Sequence, residues 1–101
     1  MNRVRLTLSC PRAVGEQIVE HMLESSLLPH GFLTADGSGH GADFAGASLR
    51  EKVRGRIDVT LVIAVLPQAG VAPLLEELRG RFRSPQVRYW TEPVDEFGDL
   101  A

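Results

Sequence analysis

The stretch RIDVTLVIAVL, residues 56–66, carries the strongest strand signal in the chain. Its apolar side chains alternate between two faces, with Ile57, Val59, Leu61, Ile63 and Val65 on one and Val62, Ala64 and Leu66 on the other. A strand that is rich in β-branched residues and apolar on both faces is typical of the middle of a sheet. We therefore predict a central strand over residues 56–66.

Weaker strand and helix signals lie on both sides of this strand. Alternation with a period of two predicts strands, and apolar residues at helical spacing predict helices. The predicted elements are strands over residues 3–10, 32–35, 56–66 and 87–91, and helices from Pro11 to about Ser25 and from Val71 to Phe82. The order β-α-β-β-α-β is that of the split βαβ arrangement, in which four antiparallel strands carry both helices on one face. We predict a single α+β, ferredoxin-like domain over residues 1–101, with a loose tail over about 94–101.

This arrangement leaves one face of the sheet without helices. We expect Val62, Ala64 and Leu66 to lie on that uncovered face, close to Trp90. An exposed apolar patch of this kind marks an interaction site. The pattern therefore predicts that the protein self-associates through Val62 and its neighbours.

Residues 36–55 differ in composition from the rest of the chain. Glycines are dispersed among polar residues, and no apolar period is sustained. Connections longer than about 12–15 residues are uncommon in compact domains and are usually functional or disordered. We predict that residues 36–55 form a long loop that is mobile without ligand.

The overall composition excludes several function classes. Hydrophobic residues make up 44% of the chain and charged residues 24%, as in an average soluble globule. A formal net charge of −2 gives no basic surface for nucleic acid. No apolar run approaches the roughly 20 residues of a membrane helix, and the first residues lack the apolar segment of a signal peptide. We therefore expect a cytoplasmic protein that does not bind nucleic acid.

Catalytic motifs are absent from the sequence. It contains no HExxH, CxxC, Walker or GxGxxG spacing. The single cysteine, Cys10, falls on the alternating apolar face of the first strand, where a small buried hydrophobe fits better than a nucleophile. A small enzyme of ferredoxin-like fold would need a paired acid and base, which the sequence does not supply. We expect a binding protein and not an enzyme.

One histidine of the long loop is a candidate metal ligand. His40 lies between Gly39 and Gly41, so no neighbouring side chain blocks its ring nitrogens, and Asp43 follows three residues later. Imidazole and carboxylate groups bind divalent metals, although a closed structural zinc site needs about four ligands. The alternative is that His40 is a solvated loop residue.

Arginines gather in the second half of the chain and suggest an anion site. They bracket the base of the loop, the end of the second helix and the last strand: Arg50, Arg54, Arg56, Arg79, Arg81, Arg83 and Arg88. Guanidinium groups match phosphate oxygens in a bidentate manner, so a nucleotide or another phosphorylated effector suits them. The alternative is a solvated face balanced by nearby carboxylates.

Four short motifs make the chain resemble the PII-like signalling proteins. These motifs are Leu8-Ser9-Cys10-Pro11, Ser38-Gly39-His40-Gly41, Val53-Arg54-Gly55-Arg56 and Arg88-Tyr89-Trp90. The chain is most similar to the small branch described as a domain of unknown function, DUF3240, which is associated with heavy-metal efflux systems. The full nucleotide-binding signature of PII proteins is not present.

This resemblance implies a homotrimer of ferredoxin-like subunits with an effector in the clefts between them. Ligand contacts are then expected at Gly39, His40, Gly41, Arg54, Arg56 and Arg88, with His40 and Asp43 as metal ligands. The effector would be a divalent metal ion or a nucleotide, and the long loop would signal to a partner such as a heavy-metal efflux transporter. A similar architecture in CutA-like proteins implies the alternative of a divalent-metal tolerance protein without a signalling partner.

Overall fold

The computed structural model describes residues 2–41 and 55–101. The strands are β1 (Arg3–Pro11), β2 (Leu33–Gly39), β3 (Ile57–Pro67) and β4 (Arg88–Val94), and the helices are α1 (Arg12–Glu24) and α2 (Val71–Phe82). A short 3-10 turn, Gln68–Gly70, leads into α2. The strands pair antiparallel in one sheet of order β2-β3-β1-β4, which confirms the predicted ferredoxin-like fold. Among the described residues, no helix has the length and apolar character needed to cross a membrane.

The hydrophobic core lies between the two helices and one face of the sheet. β1 contributes Val4, Leu6, Leu8 and Cys10, and the register with β3 sets Leu6 opposite Ala64 and Leu8 opposite Val62. The helices close this layer with Ile18, Met22, Leu74, Leu75 and Leu78. In β1 every second residue is buried beneath the helices. The alternation of apolar and polar residues in the sequence therefore reflects a strand with one covered face.

The assignment of faces on the central strand was wrong. Val62, Ala64 and Leu66, predicted on the uncovered face, are only 1%, 3% and 0% exposed beneath the helices. The other set, Ile57, Val59, Leu61, Ile63 and Val65, lies on the opposite face, where these residues are half-buried. We call this second surface the open face; Leu33 and Trp90 share it through their pairing with Ile63 and Thr7. Leu33 and Trp90 are 71% and 46% exposed, so the open face does carry apolar surface.

β2 is longer than the sequence predicts and shortens the loop. A strand was predicted over residues 32–35, but the ladder continues through Asp36 to Gly39, which pairs with Ile57. Asp, Gly and Ser have low strand propensity, yet β3 is long enough to offer them hydrogen-bond partners, and tertiary context overrides such propensities. The connection that follows therefore begins at His40 and not at Asp36.

β4 also extends beyond its predicted range, and the tail that follows contacts another part of the chain. β4 runs to Val94 and includes Pro93, which is tolerated because β4 is an edge strand. The ring of Phe97 then lies 4.7 Å from the ring of His30, between centroids. The first part of the tail thus crosses the sheet from β4 to the start of β2.

Candidate functional site

The end of the β2–β3 hairpin carries the predicted loop residues. Gly39 is the last residue of β2, and a side chain there would lie 3.0 Å from Cγ2 of Ile57. A Cβ atom at position 39 would thus crowd the side chain of Ile57, so the absence of one lets the strands pack closely there, an effect that is separate from any ligand contact. His40 and Gly41 follow it directly and are exposed. The imidazole of His40 is thus accessible, as the sequence predicts.

Arg56 lies beside these residues at the first position before β3. Its preceding residue, Gly55, has a φ of +72°, a left-handed conformation that favours glycine. The Nε atom of Arg56 is buried and has no hydrogen-bond partner among the described residues. A buried donor without a partner is rare, because losing its water without replacement costs about 1–3 kcal/mol. An oxyanion is one group that would satisfy this donor.

Arg88 is not brought to the same place within one subunit. It opens β4 at the edge of the sheet opposite β2, and it pairs with Ser9 of β1. Three strand spacings, about 14 Å, separate the two edge strands. Arg54 and Asp43 lie outside the described residues, so the structure tests neither the full anion set nor the pair of His40 and Asp43. Among residues 2–41 and 55–101, no group of three or more His, Cys, Asp or Glu side chains could hold a metal ion.

The described arginines of the set lie in two different places. Of the described members of the set, Arg79, Arg83 and Arg88 line a pocket beside α2, whereas Arg56 lies at the hairpin end. Arg81 stacks over the ring of Phe82, with 5.5 Å between Cζ and the ring centroid. The alternative explanation for these arginines was a solvated surface on which carboxylates neutralise their charge. One such pair is present, since Arg79 lies 3.2 Å from Glu76 Oε1. Arg50 lies outside the described residues.

One arginine at the hairpin end was not singled out from the sequence. Arg12 opens α1, and its guanidinium lies 3.8 Å from Asp36 Oδ1 and 3.9 Å from Asp58 Oδ2. It also donates a hydrogen bond of 3.3 Å to the carbonyl of Val59. Arg12 therefore ties the start of α1 to the ends of β2 and β3. Only the tertiary pairing of Asp36 with Thr60 reveals this cluster, because the residues are distant in the chain.

Cys10 has the structural role that the sequence predicts. Its side chain is fully buried, and Sγ donates a 3.4 Å hydrogen bond to the carbonyl of Thr60. Burial raises the pKa of the thiol above its ordinary value of 9.0, because a thiolate would lose its hydration. A thiol that is kept protonated and inaccessible is a poor nucleophile.

Comparisons with known proteins agree with this geometry. The sequence signature of the family described as "Protein of unknown function (DUF3240)" matches residues 1–101. A DUF3240 family protein from Shewanella baltica OS155 has a TM-score of 0.80 at 22% identity, covering 100% of this chain and 99% of that one. CPII, a nitrogen regulatory PII-like protein from Thiomonas intermedia K12, has a TM-score of 0.70 at 17% identity, covering 99% and 98%. The chain thus has the fold of a PII-like protein.

A third structure shares the fold as part of a larger chain. A Bacillus cereus protein related to NIF3 has a TM-score of 0.68 at 13% identity, covering 97% of this chain and 26% of that one. No curated protein matches the sequence.

Proposed function

The chain belongs to the DUF3240 family, and we propose that it is a PII-like regulatory protein that binds a small anionic effector at the end of the β2–β3 hairpin. The observation that carries this proposal is Arg56, whose buried Nε has no hydrogen-bond partner among the described residues. Guanidinium groups bind oxyanions through short, charge-assisted hydrogen bonds. The exposed imidazole of His40 lies at the other side of the same hairpin end and would contact the effector when protonated.

The comparison with CPII supports an anion as the effector. The solved structure of CPII is bound to ADP, AMP and bicarbonate, and all three are anions at neutral pH. CPII and this chain match over nearly their whole lengths. We propose an adenine nucleotide or bicarbonate as the effector class.

We further propose that the site is completed by a second subunit. His40 follows the edge strand β2 and Arg56 precedes its inner neighbour β3, whereas Arg88 lies on the opposite edge strand, β4. In a cyclic trimer the interface is heterologous, so two different surfaces of neighbouring subunits meet. A homotrimer of this kind would bring Arg88 of one subunit toward Arg56 of the next. The apolar open face supports self-association, because isolated monomers rarely expose large apolar patches.

The connection that follows β2 would change its order when the effector binds and would so signal to a partner protein. Ordering of a segment by a ligand is an established switching device. β2 and β3 hold the two ends of the connection at Gly39 and Ile57, so an effector on Arg56 acts directly on its base. The resemblance described above implies an association with heavy-metal efflux systems, so an efflux transporter is the partner that we propose.

The test is calorimetry with ADP, AMP and bicarbonate, each titrated separately into the wild type and Arg56→Gln. We expect at least one of these anions to bind the wild type and to bind Arg56→Gln at least tenfold more weakly, since one charge-assisted contact is lost. Arg81→Gln is the matched control, because it removes the same charge from the surface of α2. Equal affinity in all three proteins, or no binding of any anion, would refute the effector site.

A parallel titration with zinc, copper and nickel tests the metal alternative. Imidazole binds these ions only in its deprotonated form, so affinity should fall as the pH is lowered. If His40 is a ligand, His40→Ala must weaken metal binding. Metal uptake by the wild type with no response to any of the three anions would favour the metal-tolerance alternative over the regulatory one.

A further inference from the structure

A pocket of about 370 Å³ lies between the helices and β4, on the face of the sheet opposite the open face. It exists because the helices cover β1 and β3 but do not extend over the edge strand. Tyr89 pairs with Leu8 and so points toward the helices, yet it remains 47% exposed. The volume is within the range of small-molecule sites, which begins at about 300 Å³.

The floor and walls of this pocket are apolar. Leu8, Ile18, Leu75 and Leu78 are buried core residues whose side chains form its inner end, and Phe82 and Tyr89 add aromatic surface. Such a lining favours a hydrocarbon or aromatic group, because burying apolar area is worth about 25 cal/mol per Å². The pocket would therefore hold the apolar body of a ligand.

Cationic groups line the outer part. Arg79 and Arg83 come from the last turn and the C-cap of α2, and Ser84 follows them. Arg79 is balanced by Glu76, whereas Arg83 has no ion-pair partner within residues 2–41 and 55–101. The carbonyl groups at the end of a helix repel anions, so any attraction for a negative head group must come from these guanidiniums. Arg83, which comes from the C-cap of α2, is thus the contact that we assign to a single negative charge.

We propose that this pocket binds an amphiphilic monoanion, a carboxylate with an aliphatic or aromatic body, with the body between α1, α2 and β4 and the head group at Arg83. Arg79 is the second candidate contact for the head group. The site is formed within one subunit and does not rest on the proposed effector site. Arg88 also lines the pocket, but its register with Ser9 places it on the open-face side of β4, so the proposal does not depend on its guanidinium.

The test is calorimetry of octanoate binding to the full chain, with three probes that dissect its chemistry. Acetate keeps only the head group, octanol keeps the body without charge, and octyltrimethylammonium reverses the charge. We expect octanoate to bind once per subunit, octanol to bind at least tenfold more weakly, and the other two probes not to bind. Octanol binding as tightly as octanoate would overturn the role of the head group.

Two variants at exposed positions locate the charge contact. Arg83→Gln should weaken octanoate binding about tenfold, as expected when one charge-assisted hydrogen bond is lost, and should leave octanol unchanged. Arg81→Gln removes the same charge from the same helix end but does not line the pocket, so it should leave octanoate affinity unchanged. An equal loss in both variants would indicate a general surface-charge effect and would overturn the proposal.

Methyl NMR distinguishes this pocket from the open face, the other apolar surface available to octanoate. The proposal requires shifts at the methyl groups of Leu75 and Leu78 with little change at Leu61 and Ile63. Shifts confined to Leu61 and Ile63 would place octanoate on the open face and refute the pocket site, and so would the absence of any octanoate binding.

Discussion

Val62 and Ile63 are chain neighbours whose side chains lie on opposite faces of the sheet. Val62 pairs with Leu8 and is 1% exposed beneath the helices, whereas Ile63 pairs with Thr7 on the open face. The two positions therefore separate the folding of the chain from the self-association that we propose through the open face.

We predict that Val62→Glu unfolds the subunit and that Ile63→Glu leaves it folded but weakens self-association. A carboxylate at position 62 would be buried without a partner, and losses of about 4 kcal/mol or more are typical of that mechanism. At position 63 the carboxylate reaches solvent once the open face is uncovered. Circular dichroism measures folding, and sedimentation equilibrium measures mass. A wild type with the monomer mass, or an Ile63→Glu variant with undiminished assembly, would contradict the role of the open face.

Two helical glycines make a matched pair of predictions. A methyl group at Gly15 would lie 2.7 Å from Thr60 Oγ1 and 2.9 Å from Thr60 Cβ, whereas a methyl group at Gly80 meets nothing within 4 Å. Cβ cannot move away by side-chain rotation, so overpacking should outweigh the gain in helix propensity at Gly15. We expect Gly15→Ala to lower the free energy of unfolding by about 1–2 kcal/mol and Gly80→Ala to raise it by up to about 1 kcal/mol. Urea denaturation measures both, and stabilisation by Gly15→Ala would show that α1 can shift away from β3.

The buried thiol of Cys10 should make stability fall at alkaline pH. Burial raises its pKa above 9.0, so the native protein keeps the proton that the unfolded chain releases. The contribution of Cys10 to stability is thus complete below pH 9.0 and is lost as the pH rises toward the raised pKa. We expect the urea midpoint of the wild type to fall further between pH 8 and about 10.5 than that of Cys10→Ala. Identical pH dependence in both proteins would mean that the thiol ionises equally well in the folded state.

Hydrogen exchange tests the length of β2. Residues 36–39 pair with β3, so about every other amide there should be hydrogen-bonded and protected. The loop over residues 36–55 that the sequence predicts would instead give rapid exchange from Asp36 onward. Amide exchange measured by NMR on the ligand-free protein decides between them, with Thr34 as the internal reference for a paired position of the same strand. Rapid exchange throughout residues 36–39 would contradict the strand pairing there and support a loop that begins at Asp36.

The exposed ion pair between Arg5 and Glu92 should contribute little to the free energy of unfolding, although its geometry is good. The guanidinium contacts both carboxylate oxygens, at 2.7 and 2.8 Å, across β1 and β4. Both side chains are about half exposed, so we expect Glu92→Gln to lower the free energy of unfolding by at most about 1 kcal/mol at low salt, and by less in 1 M salt. Urea denaturation at the two salt concentrations measures this. A larger loss that salt does not reduce would indicate that Glu92 contributes through an interface in the assembly.

The amino-acid sequence by itself determined the order of the elements, the burial of Cys10 and the extent of α2. These properties depend on local periodicity. In β1 the buried face can be predicted from the sequence, because Val4, Leu6 and Leu8 alternate with polar residues. The exposure of His40 could be predicted for a similar reason, since flanking glycines leave its ring open. The predicted sites that depend on residues 42–54 stay predictions.

Only the tertiary structure decided which face of β3 is covered. Because β3 is apolar on both faces, its own pattern contains no information about the side on which the helices pack; the register that sets Leu8 opposite Val62 supplies it. The same reason applies to Arg56 and Arg88, which the sequence places in one candidate site but which the order β2-β3-β1-β4 sets apart, with Arg56 next to the inner strand β3 and Arg88 on the edge strand β4. The pocket beside Arg83 likewise depends on how far two helices extend over an edge strand, a relationship among distant segments that no local pattern encodes.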